Sequence, residues 1–468
     1  MLKKLVMCIN SPQFAIGNQA LAQKLREKSK IEIQFVSYSK ECTNYLESCG
    51  EKVTEIIYEF ERMVLTKPNN HYLIKIEKKY RVNCNLLLLG DRNIRFFPRK
   101  RQEEFLIKHF LFWENFLKEN RIEGMIGGTE RLINEVPRAI LTKNKIRHFL
   151  PRYPPIKNKF MLTQRHLGHW DNLNTYWRKN KNKKLTIKQK KNVQIFINNF
   201  KKKRKMASLI SLKPKLSIKN INYAIKRFYI NIIVEGWKNP YANLFHITRE
   251  QTERAIRKHL TMNIYSTPDL NKEFIFYPLH MQYDAQILVR APEFRDQVSL
   301  VETMSNFLPA GVKLYVKEHP NFVGGMTLSE LKRIKKLPNV LLINPKVNSH
   351  ILISNAKAII TINSNVGWEA LLYEKPVICL GEAYYDIVGL THNLRDLGKL
   401  KDTISTAIEN PIFNKQTQLR LINAVLSSIR PGSVVYQRGH LKQFLDETNL
   451  DNVSNGIIDE LKRFNPRN

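Results

Sequence analysis

The stretch AKAIITINSNVGWEALLYEKPVICLG, Ala356–Gly381, decides the fold class. An apolar run, Ala358–Ile362, ends in the polar trio Asn363-Ser364-Asn365 and continues into a short helix bearing Gly367, Trp368 and Glu369. A buried parallel strand that passes through a tight polar turn into a helix N-terminus brings unpaired backbone N–H groups and the positive end of the helix dipole to one spot, a ready-made anion site. The same turn also reads as a plain helix cap supplied by Ser364 or Asn365, and one turn alone does not choose.

Working outward, the surrounding sequence repeats the pattern. Strands are expected at Phe274–Tyr277, Val312–Val316, Val340–Ile343, Ala358–Ile362 and Pro376–Leu380, with helical segments between them, which predicts a doubly wound parallel α/β sheet. In such sheets ligands sit beyond the carboxyl ends of the strands, so the residues that follow each strand are the test. Gln282, Asp284 and Gln286 follow the first, and Lys317, His319 and Pro320 the second. The turn Asn363-Ser364-Asn365 with Gly367 follows the fourth, and GEAYYDIVG the fifth. Polar clusters gathered at one sheet edge predict an active site there. The Asn363–Gly367 turn offers phosphate donors, with Gly367 letting a ligand come close to the helix. His319, set by Pro320, can donate to a phosphate or a leaving group. Asp284 is a carboxylate able to act as nucleophile or base, or simply an Asx-turn residue. Glu369 reaches a ribose hydroxyl or stays solvated.

The opening half alternates in the same way. LVMCI, a helix over Phe14–Lys28, IEIQFVSY, the amphipathic RQEEFLIKHFLFWENFLKEN and IEGMIGGTERLINEV predict one open parallel sheet that closes near LPRYPPIKNKF. Its glycine turn, Gly127-Gly128-Thr129-Glu130, places Glu130 at the carboxyl edge. Residues 1–165 form this domain; a Lys-rich, mostly helical insertion and linker spans 166–265, the second sheet 266–400, and a helical tail 401–468 that packs back across both domains.

The 468 residues carry a formal charge of +36, which implies anionic company: nucleic acid, acidic lipid or charged sugars and nucleotides. The charge concentrates in the insertion, read either as a solvated linker face or as a contact with an anionic membrane surface or polymer. Aromatics are thin there, which argues against a nucleic-acid platform. Five cysteines without a C-x-x-C pair suggest neither a zinc site nor a disulfide framework and fit a reducing cytosol. No apolar run reaches a membrane span, and the opening stretch is too short for a signal peptide.

The segments FYPLHMQYDAQ, LYVKEHP and TINSNVGWEALLYEKPVICLGEAYY, in this order, resemble the capsule polysaccharide synthesis and export family, which includes bacterial β-Kdo transferases. The resemblance runs over about Phe274 to Leu394, and only GGTE carries it in the first domain. It implies a GT-B-like α/β fold, two facing Rossmann-type domains, with a CMP-activated acidic sugar held by the second. His319-Pro320 would match the family's nucleotide-phosphate motif and Ser364 its phosphate turn, with Lys317, Asn363, Asn365, Gly367 and Glu369 around them. Gln282-x-Asp284-x-Gln286 is similar to the segment whose aspartate is the nucleophile of a retaining double displacement, and Glu130 would be the acid/base. The sequence departs from the pattern at His280, where a glutamine is expected, and in the size of the basic insertion. The expected activity is transfer of a Kdo-like sugar to a lipid-linked or polymeric glycan, in the cytoplasm or at the inner membrane face, with no cofactor, no metal and no nucleic acid; the absence of a D-x-D motif agrees. The alternatives are a non-catalytic capsule export or assembly factor and a basic nucleic-acid-binding protein.

Overall fold

A computed structural model describes residues 2–128, 131–164, 168, 170–202, 229, 239–241, 244–435 and 439–463, with the backbone alone for 244–247. Glu130 and the stretch 203–228 of the basic insertion lie outside the described residues. The chain divides into two compact units: residues 1–165, 215–247 and 429–468 in one, and 166–214 with 248–428 in the other.

In the first unit the strands are β1 (Lys4–Ile9), β2 (Glu32–Ser37), β3 (Val53–Glu55), β4 (Gly124–Ile126), β5 (Arg147–Arg152), β6 (Lys159–Thr163) and β13 (Arg430–Pro431). Their order is β13-β6-β5-β4-β1-β2-β3. Strands β1 to β5 pair parallel as expected, but β6 pairs antiparallel with β5 and β13 antiparallel with β6, so the sheet is mixed at that edge. The cause is the short connection between Arg152 and Lys159: a parallel return needs a crossover of a dozen or more residues, and the loop through Pro154 and Pro155 allows only a hairpin. The amphipathic Arg99–Glu119 helix buries Leu106, Phe110, Trp113 and Phe116 over this sheet, the face its sequence period predicts.

The second unit contains β7 (Phe274–Pro278), β8 (Lys313–Lys317), β9 (Val340–Ile343), β10 (Ala358–Thr361), β11 (Val377–Cys379) and β12 (His392–Asn393), ordered β12-β11-β10-β7-β8-β9 and parallel throughout. Counted from β7, this is the doubly wound order 3-2-1-4-5-6, with its switch point between β7 and β10. All four residues of β10 are buried, as a strand covered on both faces requires, which explains its uninterrupted apolar run. Each of the five expected strands is present, with ends shifted by a residue at most.

The segment expected as one insertion is divided between the units. The Asp171–Asn180 and Ile187–Lys202 helices belong to the second unit, where Asn423 Nδ2 donates to Tyr176 Oη at 3.1 Å from the Lys415–Ser428 helix. The tail is divided too: the helices through Ser428 stay with the second unit and the Glu447–Arg463 helix with the first. Among the described residues no helix is long and apolar enough to cross a membrane.

Candidate nucleotide-binding site

The carboxyl ends of β7, β8, β9 and β10 surround a cavity of about 370 Å³ in the second unit. The loop after β7 contributes His280, Asp284 and Gln286, and the end of β8 contributes Lys317, Glu318, His319 and Pro320. Asn348, Ser349 and His350 follow β9, and Ser364, Asn365 and Glu369 follow β10. The cavity therefore lies at the switch point, where two neighbouring loops leave in opposite directions and open a crevice.

Burial governs its electrostatics. Lys317 is 2% exposed, and desolvation pushes its ammonium down to about 8 while the Glu369 carboxylate pulls it back up. Its Nζ donates to Ser349 Oγ at 3.0 Å. Burial lifts Glu369 to about 7, against the pull of Lys317. Glu318 is raised to about 7 for the same reason, although Tyr265 Oη donates to its Oε2 and Arg254 is nearby. The imidazoles of His319 and His280 are held neutral. His319 is lowered by burial and then by Lys317, and His280 falls to about 3 through burial, with His319 and Arg290 adding to it. His319 Nδ1 accepts the Asn321 N–H at 3.2 Å, so the neutral ring carries its proton on Nε2 and is a donor there. A cation in low dielectric beside a neutral N–H donor and hydroxyls is suited to an anion such as a phosphate.

Residues 234–403, which contain every residue lining this cavity, match the family described as capsule polysaccharide biosynthesis protein. Protein FixF of Sinorhizobium fredii is 31% identical over 153 residues, 32% of this chain and 37% of that protein. The capsule polysaccharide export protein KpsS of Escherichia coli is 31% identical over 131 residues, 26% of this chain and 34% of that one. The matched parts thus span little more than a third of these relatives' lengths. Among solved structures, the β-Kdo 2,7 transferase KpsC of Thermosulfurimonas dismutans aligns over 76% of this chain and 97% of its own, at 14% identity and a TM-score of 0.38.

Within the matched residues, the turn after β10 is both a cap and a wall of the cavity. Ser364 Oγ accepts the Val366 N–H at 3.0 Å at the start of the Asn365–Leu372 helix, which leaves its hydroxyl proton for a ligand. Trp368 is buried beneath that helix against Tyr384. Asp284 likewise caps the Ala285–Leu288 helix, its Oδ1 accepting the Gln286 N–H at 2.9 Å, and it lines the cavity at the same time. Its capping and its exposure to the cavity are compatible, because only one carboxylate oxygen is taken by the cap.

Three residues expected around a ligand have other work. Gly367 admits protein: a Cβ there would lie 2.2 Å from Tyr385 Oη, which donates to the Ser364 carbonyl at 2.5 Å. Asn363 is not among the lining residues, and its Nδ2 donates to the Gln286 carbonyl at 3.0 Å, tying the β7 loop to the β10 loop. Gln282 also lies outside the lining, with Nε2 3.4 Å from Glu330 Oε1.

The cluster after the fifth strand is not in the cavity. Tyr384 stacks on Trp170 with centroids 3.9 Å apart, and Asp386 pairs with Arg395 at 2.9 Å, so GEAYYDIVG consolidates the sheet edge. The loop after β9 takes its place with Asn348, Ser349 and His350, which sequence reasoning passed over together with Glu318. The run VNSH after an apolar strand was the available signal for the former, and the KEHP context for the latter. In the first unit, Gly127 and Gly128 both adopt positive φ at the end of β4, and the Gly127 carbonyl accepts from His148 Nε2 at 2.9 Å; Glu130, just beyond, lies outside the described residues.

Proposed function

We propose that the protein is a glycosyltransferase of capsule or surface polysaccharide assembly that takes an acidic, Kdo-like sugar from a CMP-activated donor. The observation that carries this reading is the cavity itself: a buried lysine, a neutral histidine donor and a helix-capping serine converge at the switch point of a doubly wound sheet, with a carboxylate, Asp284, on the same wall. Lys317, His319 and Ser364 would hold the phosphate, and Glu369 would meet the ribose.

In the transfer, the Asp284 carboxylate attacks the anomeric carbon, and the bond from that carbon to the phosphate oxygen breaks. The electron pair leaves with CMP, whose charge Lys317 offsets and His319 meets with its N–H. An acceptor hydroxyl then displaces Asp284 and gives up its proton to a base, the role proposed for Glu130. Two inversions return the starting anomeric configuration. The acceptor in this reading is a lipid-linked or growing glycan, and no metal or further cofactor takes part.

The test is transfer by the full chain from a CMP-activated acidic sugar to an acceptor glycan. Asp284→Ala is expected to lower transfer by at least roughly 1,000-fold while CMP still binds. Transfer at the wild-type rate by Asp284→Ala overturns the nucleophile. The observation favouring the second reading, a non-catalytic export or assembly factor, is the capping bond of Asp284, and that reading predicts CMP binding without release of sugar from any donor.

A further inference from the structure

We propose that the Ile187–Lys202 helix docks the second unit on an anionic lipid bilayer. From residue 172 to 202 the chain has ten Lys and Arg residues and no Asp or Glu. The helix is held to its unit by Val193 and Ile197, which are 0% and 3% exposed. The opposite stripe, one residue per turn, is Ile187, Lys191 and Ile195, flanked by Lys188, Lys190 and Lys202. Ile187 is 88% exposed and Ile195 48%, and the four lysines are exposed with no ion pair among the described residues.

Two β-branched aliphatic side chains among unpaired lysines identify the partner's chemistry. A soluble polyanion satisfies the ammonium groups but leaves the isoleucines in water. A bilayer satisfies both, since lysine stems lie along apolar surface with their heads at phosphates while the isoleucines enter the boundary between headgroups and acyl chains. A single-stranded nucleic acid would need aromatic rings to stack on. Phe200 is committed elsewhere, with its centroid 5.4 Å from His350 and 5.8 Å from Tyr373. Because His350 lines the cavity, the helix that meets the bilayer is braced on a cavity wall. The docking stands whatever reaction the cavity carries out.

Flotation of the full chain with vesicles of equal parts phosphatidylglycerol and phosphatidylcholine tests this. Binding is expected at about 0.1 M salt and release at about 0.5 M, with no binding to phosphatidylcholine alone. The triple substitution Lys188→Gln, Lys190→Gln, Lys191→Gln is expected to weaken partition roughly 100-fold. The pair Ile187→Ser, Ile195→Ser is expected to weaken it roughly tenfold, with the thermal melt unchanged. Wild-type partition by the lysine variant, or equal binding to neutral vesicles, overturns the proposal. So does wild-type vesicle binding by the isoleucine variant, and if that variant also binds heparin or poly(U) as the wild type does, the helix is a site for soluble polyanions instead.

Discussion

Lys317→Met exchanges function for stability, and the size of the exchange follows from burial. The lysine is 2% exposed, and its ammonium is pushed from 10.5 down to about 8, a preference for the neutral form that corresponds to about 3 kcal/mol held against the folded state while the group is charged. Methionine fills a similar volume without the charge. The bond from Nζ to Ser349 Oγ is lost, at about 1 kcal/mol, so the variant is expected to be about 2 kcal/mol more stable than wild type at neutral pH. Glu369, deprived of the cation that draws it down, moves further above about 7 and stays protonated, so no unpaired buried charge is left. The pH dependence has a definite sign. Below about 8 both folded and unfolded wild type carry the proton and the full cost is present; between about 8 and 10.5 the unfolded chain binds more protons, and wild-type stability rises with pH. The advantage of the variant therefore shrinks across that window and is gone above 10.5. Urea titrations followed by tryptophan fluorescence over this pH range measure it, alongside loss of nucleotide binding. A variant less stable than wild type at neutral pH, or an advantage that persists unchanged above the window, would mean that burial of the Lys317 ammonium carries no such cost.

Two further outcomes test other parts of the site. Gly367→Ala puts a methyl 2.2 Å from Tyr385 Oη in a fully buried position and is expected to cost about 2–4 kcal/mol, with Tyr385→Phe partly relieving it in a double-mutant cycle read by urea unfolding; a neutral Gly367→Ala would return the glycine to the ligand. Glu318 has its carboxyl raised from 4.5 to about 7, so ionising it weakens the fold as pH rises through that interval, and Glu318→Gln is expected to flatten this part of the stability profile; a profile identical to wild type contradicts the burial of that charge.

Much of the second unit was legible because a parallel sheet writes itself plainly. Strands buried on both faces must be apolar without alternation, and their ends are marked where polar residues begin, as at Thr361 and Lys317. The hairpin of β6 was not legible, since Lys159–Thr163 looks like any short apolar run and only the brevity of the preceding loop dictates its direction. In the site, residue type indicated chemistry but not orientation. Ser364 and Asp284 are cavity residues and caps together, whereas Asn363 and Gly367, in the same turn, serve the packing of Gln286 and Tyr385, partners distant in sequence. Aromatic neighbours likewise drew the GEAYYDIVG cluster away: Trp170, far upstream, covers Tyr384 with a stacked ring.

Whether the cavity at the ends of β7, β8, β9 and β10 takes the nucleotide of a CMP-activated sugar is decided by calorimetric titration of CMP, UDP, GDP and ADP into the full chain and into His319→Ala. CMP is expected to bind tightest, and removal of the imidazole donor is expected to weaken it by roughly tenfold or more. Equal binding of all four nucleotides, no binding of any, or CMP affinity unchanged by His319→Ala would contradict it.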